Sequence, residues 1–213
     1  MASKGNGGAK RAYRMENRAE AAAETGRNIL RATMECYGER FFDQVSLEDI
    51  AERAGVTVQT ILRRFGTKED LISAAAAEAR PSLRSQRDQT PAGDVAGAIR
   101  VLVHSYEEHG DRVLRLLAQE ERVAPFRQIT DAGRTYHQEW VKRVFAPHLK
   151  KCAGARRQRL QGKLVAICDL YVWKVLRRDL GFSREEVESS LIEMVRDVIA
   201  ASQPSNVPPA KLR

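Results

Sequence analysis

Side chains that can contact nucleic-acid bases and phosphates recur within one short stretch, at Gln59, Thr60, Arg63, Arg64 and Lys68. Arginine can donate two parallel hydrogen bonds to guanine, glutamine can pair in the same way with adenine, and threonine contacts base edges or a thymine methyl. Residues 53–68 include four basic side chains and no acidic one. These residue types therefore favour recognition of a polyanion by base and phosphate contacts.

The sequence around these residues predicts two short helices joined by a glycine turn, followed by the start of a third. Ser46 and Asp49 have the spacing of a capping box at the start of the first helix. Gly55 is suited to the left-handed conformation that ends a helix, and Thr57 can cap the second helix. Two short helices that meet across such a turn form a helix-turn-helix, whose second helix lies in a DNA major groove.

Apolar residues in both helices recur at three- and four-residue steps, so each helix has one apolar face. They are Leu47, Ile50, Ala51 and Ala54 in the first helix, and Val58, Ile61, Leu62 and Phe65 in the second. Gly66 ends the second helix, and Thr67 with Asp70 repeats the capping box. An alternative interpretation is a helical hairpin whose charges only keep it soluble. The three caps and the acid-free basic face favour DNA binding over that alternative.

The span from about Arg27 to Ile72 resembles the DNA-binding region of the tetracycline-repressor (TetR) family. The matching segments are R-N-I-L-R-A, then V-S-L-E-D-I-A-E-R-A-G-V, then T-x-x-T-I-x-x-x-F-x-x-K-E-D-L. The resemblance covers about a quarter of the chain, and its apolar, glycine, capping and basic positions all fall in register. It implies a homodimeric transcriptional regulator, usually a repressor, which leaves its operator when a small molecule enters the larger carboxy-terminal domain.

Two positions depart from the pattern of that family. Members usually carry tyrosine at the position of Leu62, where it commonly contacts a phosphate, and histidine or tyrosine at the position of Arg64. We expect Leu62 either to join the core or to touch a thymine methyl, and Arg63, Arg64 and Lys68 to make the backbone contacts. The predicted DNA-binding residues are Ser46, Thr57, Val58, Gln59, Thr60, Leu62, Arg63, Arg64 and Lys68.

Composition and length agree with an all-α fold. The 213 residues are sparse in glycine, proline and aromatics and rich in alanine, leucine, arginine and glutamate. No apolar run approaches the ~20 residues of a membrane span, and the first residues lack the apolar core of a secretion signal. We therefore expect a cytoplasmic protein with no membrane partner.

The formal charge of +8 is unevenly distributed. Residues 1–80 hold 13 basic and 12 acidic side chains, whereas residues 81–213 hold 23 and 16. The excess does not lie in the proposed DNA-binding region, so the local charge around the second helix is more informative than the total.

The chain divides into an amino-terminal helix-turn-helix domain of three helices and a larger carboxy-terminal helical domain for ligand binding and dimerisation, with about nine helices in all. Residues 1–15 form a flexible basic arm, which could lie along DNA or be an unstructured tail. The DNA-binding domain spans residues 16–80, with a connecting fourth helix that Pro81 ends or bends. Residues 81–93 connect the domains, and residues 203–213 form a disordered tail.

The sensing and dimerisation domain spans residues 94–202, and its pattern predicts five helices. They cover about residues 94–109, 111–120, 124–151 with a break near Pro147, 156–179, and 183–202. The last helix starts at a capping box of Ser183 and Glu186 and is apolar over more than half of its circumference. So broad a face favours a subunit interface, although both final helices could also be core.

The predicted interface residues are Leu164, Ile167, Tyr171, Val187, Leu191, Met194 and Val198. A dimer would place two reading helices about 34–36 Å apart, which matches successive major-groove faces of a near-palindromic double-stranded operator.

Aromatic and polar residues in the middle helices suggest a site for a small-molecule inducer of unknown identity: Tyr106, Tyr136, His137, Trp140 and Trp173. Tyrosine and tryptophan combine apolar area with a polar group, a mixture common in ligand sites. Each of them could instead belong to the core or to an interface. Such a ligand must prefer the state that does not fit DNA, because equal binding to both states shifts nothing.

Nothing in the sequence favours an enzyme, a metal site or a cofactor. The four histidines are scattered, no glycine-rich phosphate loop follows a strand, and no serine lies on a nucleophile elbow. The three cysteines have no close spacing, and Cys152, near Lys150, Lys151 and Arg156, could alternatively sense redox state. A rival prediction is a helical ligand-binding or interaction protein that has lost specific DNA binding.

Overall fold

The structure, a computed structural model, describes the backbone of residues 6–202 and the side chains of residue 13 and residues 15–202. Over that range it contains ten α-helices and no strand, which confirms the predicted all-α fold. The helices are α1 Asn6–Glu39, α2 Leu47–Ala54, α3 Val58–Phe65, α4 Lys68–Asp88, α5 Val95–Leu117, α6 Ala124–Val144, α7 Ala146–Leu149, α8 Gly154–Ile167, α9 Leu170–Lys174 and α10 Arg184–Ala201. A 3₁₀ turn, Phe42–Gln44, follows α1, and a π-helical turn, Val175–Asp179, follows α9.

The described residues form two compact units. The amino-terminal unit contains the residues up to Pro81 together with Arg115–Ile129, and the carboxy-terminal unit contains Ser82–Leu114 together with the residues from Thr130 onward. The sequence predicts instead a connection at residues 81–93. The structure differs there because α4 continues through Pro81 to Asp88. Proline removes one backbone donor from a helix, but it does not end this one.

The core of the amino-terminal unit combines the apolar faces of its helices. Its most buried side chains include Ile29, Cys36, Ile50, Ile61 and Leu71, each at most 1% exposed. Leu116, Val123 and Phe126, from the second segment of the unit, complete this core. Full burial of one isoleucine or leucine contributes about 1.5–3 kcal/mol, so these short helices are held chiefly by packing rather than by their own propensity.

Helix α1 is longer than the sequence predicts. The predicted flexible arm of residues 1–15 is helical from Asn6 onward, and residues 1–5 lie outside the described residues. The physical reason is the alanine- and glutamate-rich segment at residues 16–24, since extending an existing helix is much easier than starting a new one. The helix also passes through Gly26 without a break.

The carboxy-terminal unit is built around α8 packed on α10, with Trp140, Phe145 and Trp173 fully buried. Helix α5 is continuous where two helices are predicted. Gly110 does not interrupt it; a Cβ at this position would lie 2.6 Å from the Trp173 ring, so this glycine permits close packing.

The structure also shows what happens at a predicted helix break near Pro147 and within the helix predicted over residues 156–179. The predicted interruption near Pro147 occurs between α6 and α7, where Pro147 lies in the first turn of α7. The single helix predicted over residues 156–179 is divided, because the Asp169 carboxylate accepts a hydrogen bond from Tyr171 N at 2.9 Å and starts α9. The predicted tail at residues 203–213 lies outside the described residues. No helix within residues 6–202 is both long enough and apolar enough to cross a membrane.

Candidate nucleic-acid interface

The predicted capping box at the start of α2 is present. Asp49 N donates to Ser46 Oγ at 3.1 Å, and Ser46 N donates to the Asp49 carboxylate at 2.7 Å. Hydrogen bonds from the Ser46 backbone and hydroxyl, with a further one from Arg40, lower the pKa of Asp49 to about 2. Gly55 ends α2 in the left-handed conformation, at φ 67°. The first helix and the turn are therefore defined by the local interactions that the sequence predicts.

Helix α3 is bounded in the same way. The Thr57 hydroxyl accepts a hydrogen bond from Thr60 N at 3.2 Å, and Gly66 follows the last turn with a positive φ of 79°. At the start of α4, Asp70 N donates to Thr67 Oγ1 at 3.1 Å, and hydrogen bonds from Thr67 lower the pKa of Asp70. All three predicted caps are therefore present, and Thr57 and Gly66 bound an eight-residue α3.

The outer face of α3 carries Gln59, Leu62 and Arg63, all exposed. Leu62 is 39% exposed, whereas its neighbour Ile61 is 1% exposed and fills the core. Of the two expectations for Leu62, a place in the core is therefore wrong, and a contact with a thymine methyl remains a prediction. Among the described residues, Arg63 has no hydrogen-bond or ion-pair partner, so its guanidinium can reach a ligand.

Other predicted DNA-binding residues on α2 and α3 have roles inside the protein. The Ser46 hydroxyl is occupied by Asp49, to which it also donates at 2.9 Å. Thr57 and Thr60 share a hydrogen bond between their hydroxyls at 3.0 Å. Val58 is half-buried and packs on the core of the amino-terminal unit. Ser46 and Val58 therefore hold the helix-turn-helix together, and DNA contacts by all four residues remain predictions.

The Arg64 side chain is exposed, but it is bound to α1 in this structure. Its Nη1 donates to the backbone carbonyl of Ala22 in α1 at 2.8 Å. Its guanidinium also lies 5.8 Å from the centre of the Phe65 ring. A contact between Arg64 and the DNA backbone stays a prediction: in this structure its Nη1 is bound to α1, while the adjacent Arg63 has no such partner.

Lys68 is likewise bound within the amino-terminal unit. Its Nζ donates to the carbonyls of Phe42 at 3.2 Å and Val45 at 2.5 Å. The same ammonium lies 4.1 Å from the centre of the Phe42 ring, a favourable cation–π position. In this structure Lys68 stabilises the 3₁₀ turn and the approach to α2, and its contact with a phosphate stays a prediction.

Other residues that the sequence did not indicate also make contacts in the amino-terminal unit. Gln119 Oε1 accepts a hydrogen bond from Phe42 N at 2.8 Å, and Arg115 donates to the carbonyl of Gly38. Both residues are more than seventy positions away from their partners and carry no recognisable spacing. Gly26 was also missed, although an isolated glycine in an alanine-rich helical stretch is a signal for close packing.

The aromatic residues predicted to bind a ligand lie in the carboxy-terminal unit with their polar groups occupied. Tyr106 donates to the Cys168 carbonyl at 2.9 Å, and Trp173 Nε1 donates to Glu107 at 3.0 Å. Tyr136 donates to Asp88 at 2.9 Å. These contacts divide the five residues into a pair, Tyr106 and Trp173, whose rings are 5.9 Å apart, and a second group around Arg87.

That second group contains Tyr136, His137 and Trp140. Arg87 Nη2 lies 3.1 Å from His137 Nδ1, and Trp140 Nε1 donates to the Arg87 carbonyl at 3.0 Å. The Arg87 guanidinium lies 4.5 Å from the centre of the Trp140 ring and 5.2 Å from that of Tyr136. These residues thus form one cluster, which we call the Arg87 cluster.

A cleft of about 550 Å³ lies elsewhere in the carboxy-terminal unit. It is lined by Gly93, Asp94, Val95, Ala96, His148, Arg196, Ile199 and Ala200. None of the five predicted ligand-binding residues lines it.

The predicted interface residues fall into two groups, one buried within the protomer and one with exposed side-chain area. Leu164, Val187 and Leu191 are at most 1% exposed within one protomer, so their assignment to a subunit surface is corrected: they are core. The residues that keep exposed side-chain area are Ile167, Tyr171, Met194 and Val198. Tyr171 is 54% exposed.

The three thiols, Cys36, Cys152 and Cys168, are free and buried. Cys152 Sγ donates to the Ser202 carbonyl at 3.2 Å, and burial raises the pKa of Cys168 to about 12. Within the described part of the chain, no three histidine, cysteine, aspartate or glutamate residues converge on a position for a metal ion.

Comparison with known proteins places the helix-turn-helix in a family. Residues 29–75 match the family described as bacterial regulatory proteins, tetR family. This match covers α2 and α3 and most of the α1 segment that packs on them. No curated protein matches the chain by sequence.

Solved structures share the fold at low sequence identity. A transcriptional regulator from Rhodococcus sp. Rha1 superposes with a TM-score of 0.66 at 15% identity, covering 86% of this chain and 99% of its own. A tetR-family transcriptional regulator from Streptomyces coelicolor gives 0.63 at 20% identity, covering 83% of each chain. The multidrug binding protein EbrR, complexed with imidazole, gives 0.53 at 19% identity, covering 86% and 90%. The resemblance seen in the sequence is thereby confirmed: residues 29–75 match the helix-turn-helix region of the tetR family, and the described chain shares the all-helical fold of these solved structures.

Proposed function

We propose that the protein is a dimeric transcriptional repressor that binds a near-palindromic double-stranded operator and leaves it when a small molecule binds. The observation that carries the DNA-binding part is the outer face of α3. Gln59, Leu62 and Arg63 are exposed there, on a helix whose two ends are defined by Thr57 and Gly66. No acidic residue lies between Arg53 and Lys68 to repel a phosphate.

In this proposal α3 enters the major groove and each exposed side chain has its own partner. Arg63 donates to guanine or to a phosphate, Gln59 pairs with adenine, and Leu62 contacts a thymine methyl. Arg64 and Lys68 keep the helix-turn-helix rigid by binding backbone carbonyls. A second copy of the chain supplies the other reading helix, about 34–36 Å away on the same side of the duplex.

The test is a mobility-shift titration with DNA from around the gene for this protein, repeated at several salt concentrations. We expect one promoter fragment to bind at least a hundred-fold more tightly than an unrelated fragment of equal length, because base contacts add to phosphate contacts. Affinity for both fragments should fall steeply with salt, since bound counterions are released. Equal binding of both would favour the rival, a helical ligand-binding or interaction protein without specific DNA recognition.

For the effector site we favour the Arg87 cluster and an acidic ligand. Arg87 is only 8% exposed, and its Nε has no hydrogen-bond partner within the described residues. No carboxylate of those residues forms an ion pair with it. Burial, together with the charge of Arg87, lowers the pKa of His137, so the ring is neutral at pH 7 and its Nδ1 accepts from Arg87. A buried cation without an anion is costly, and a carboxylate on the effector would compensate it.

The cluster is closed in this structure, so an effector must move Tyr136, which is half-buried, and the Arg84 side chain that lies 4.0 Å from the centre of its ring. A ligand that binds only the opened cluster has the differential affinity that release from DNA requires. The complex of EbrR with imidazole is a case of a small molecule bound by a chain of this fold.

Replacement of Arg87 by methionine tests this site. Benzoate should quench or shift the fluorescence of the two tryptophans in the wild type and leave the variant unchanged, whereas benzamide should affect neither. Without ligand, the variant should be at least as stable to heat as the wild type, because an uncompensated buried charge is replaced by an apolar chain of similar length. A melting temperature lower by several degrees, with no response of the wild type to benzoate, would make Arg87 a purely structural residue.

A further inference from the structure

We propose that Arg64 acts as a positioning residue: it couples the amino-terminal half of α1 to α3, and Gly26 is the residue that makes this coupling possible. The inference rests on the proposed DNA-binding function, because its consequence is a change in operator affinity. It differs from the expectation drawn from the sequence, in which Arg64 contacts the DNA backbone itself.

The first observation is the bond between Arg64 Nη1 and the Ala22 carbonyl, 2.8 Å long and forty-two residues apart in sequence. In a continuous α-helix the carbonyl of residue 22 already accepts the N–H of residue 26. A carbonyl oxygen has a second lone pair, and Arg64 binds there. The guanidinium therefore lies against the side of α1, directly over Gly26.

The second observation is the space at Gly26. A Cβ at this position would lie 2.3 Å from Arg64 Nη2, 2.6 Å from Cζ and 2.7 Å from Nε. Those distances are far below any contact that two such atoms make, so any side chain at residue 26 would displace the guanidinium. Gly26 is buried and lies inside a helix, where glycine is less favourable than alanine. A glycine is needed at this position because it leaves room for the Arg64 guanidinium.

The consequence concerns both helices that the bond joins. Arg64 lies in the last turn of α3, beside Arg63, so the bond holds the turn that presents the exposed arginine. On the other side it holds α1, which continues from Gly26 back to Asn6, a length of about 30 Å. The sequence of that half includes the basic residues Lys10, Arg11 and Arg14. Arg64 therefore ties this half of α1 to α3.

The deciding experiment compares Gly26→Ala with Arg64→Ala in operator binding. If Arg64 is a positioning residue, both variants should bind about ten-fold more weakly, and the double variant should be no weaker than either single one, because both changes remove the same bond. If Arg64 contacts phosphate directly, Gly26→Ala, which frees an intact arginine, should bind as well as the wild type or better. That result would overturn the proposal.

Hydrogen exchange of the free protein provides a readout that does not depend on DNA. Backbone amides of residues 15–26 should exchange several-fold faster in both variants than in the wild type. Alanine has the higher helix propensity, so intrinsic propensity alone predicts slower exchange in Gly26→Ala, and slower exchange would contradict the coupling. If the wild type shows no specific DNA binding, the proposed function fails, and the exchange result still decides whether Arg64 holds α1.

Two other helical glycines serve as matched controls. A Cβ at Gly133 in α6 or at Gly162 in α8 meets no heavy atom within 4 Å. Gly133→Ala and Gly162→Ala should therefore change neither operator affinity nor the exchange of residues 15–26.

Discussion

Replacement of Arg63 by alanine is expected to weaken operator binding by roughly one and a half to four powers of ten. One good arginine–base contact contributes about 1–3 kcal/mol, the loss occurs in both half-sites of a dimer, and about 1.4 kcal/mol corresponds to a factor of ten. Because Arg63 is exposed and binds no other described residue, the fold and the oligomeric state should be unchanged. Fluorescence anisotropy with the operator fragment measures the affinity, and circular dichroism checks the fold.

Two companion variants show what Arg63 does. Lysine at residue 63 keeps the charge but loses the two-donor geometry, so Arg63→Lys should restore general binding while discrimination between operator and unrelated DNA stays low. Arg31→Ala removes an exposed arginine of α1 whose Glu35 partner lies 4.0 Å away, and it should change affinity by less than two-fold. Full affinity in Arg63→Ala would mean that α3 does not read DNA through this residue.

Glutamate at Val198 is expected to convert the proposed dimer into folded monomers. Val198 and Met194 lie four residues apart on α10, so they are neighbours on one helix face, and both are half-buried in a single protomer. A carboxylate enclosed there by a partner subunit would lose its hydration without gaining a cation, at a cost of several kcal/mol. We expect the dimer to dissociate at least a hundred-fold more readily, as measured by analytical ultracentrifugation.

Val198 is chosen for replacement because it is only half-buried in the protomer. Glutamate at Leu191, which is 1% exposed in the protomer, would unfold the carboxy-terminal unit and reveal nothing about association. Glu193→Ala, on the exposed side of α10, provides the control and should leave the mass unchanged. Val198→Glu should also lose operator affinity, because one subunit occupies only one half-site. A variant that remains dimeric would place the subunit interface elsewhere.

The helix-turn-helix could be predicted because its determinants are local. A serine three residues before an aspartate, a glycine after the last apolar residue and a threonine before the next helix each act within one helical turn. The structure contains Ser46 bound to Asp49, Gly55 in the left-handed conformation and Thr57 as a cap. The apolar spacing likewise placed Ile50 and Ile61 in the core.

Local patterns could not decide whether a glycine or proline ends a helix. Gly55 ends α2, whereas Gly26 and Gly110 lie inside continuous helices and admit Arg64 and Trp173. Pro81 also lies within a helix. For Gly26 and Gly110 the difference depends on the neighbour that packs against the glycine, and that neighbour is remote in sequence.

The sequence by itself determined the resemblance of residues 29–75 to the tetR family, the helical class and the bounds of α3, because capping and helical periodicity depend on residues close together in the chain. Only the tertiary structure separated Arg63 from Arg64, two adjacent arginines with the same chemistry. Arg64 and Lys68 bind backbone carbonyls of Ala22, Phe42 and Val45. Every residue carries such a carbonyl, so no side-chain pattern marks the acceptor, and only the packing of one helix on another brings it within reach.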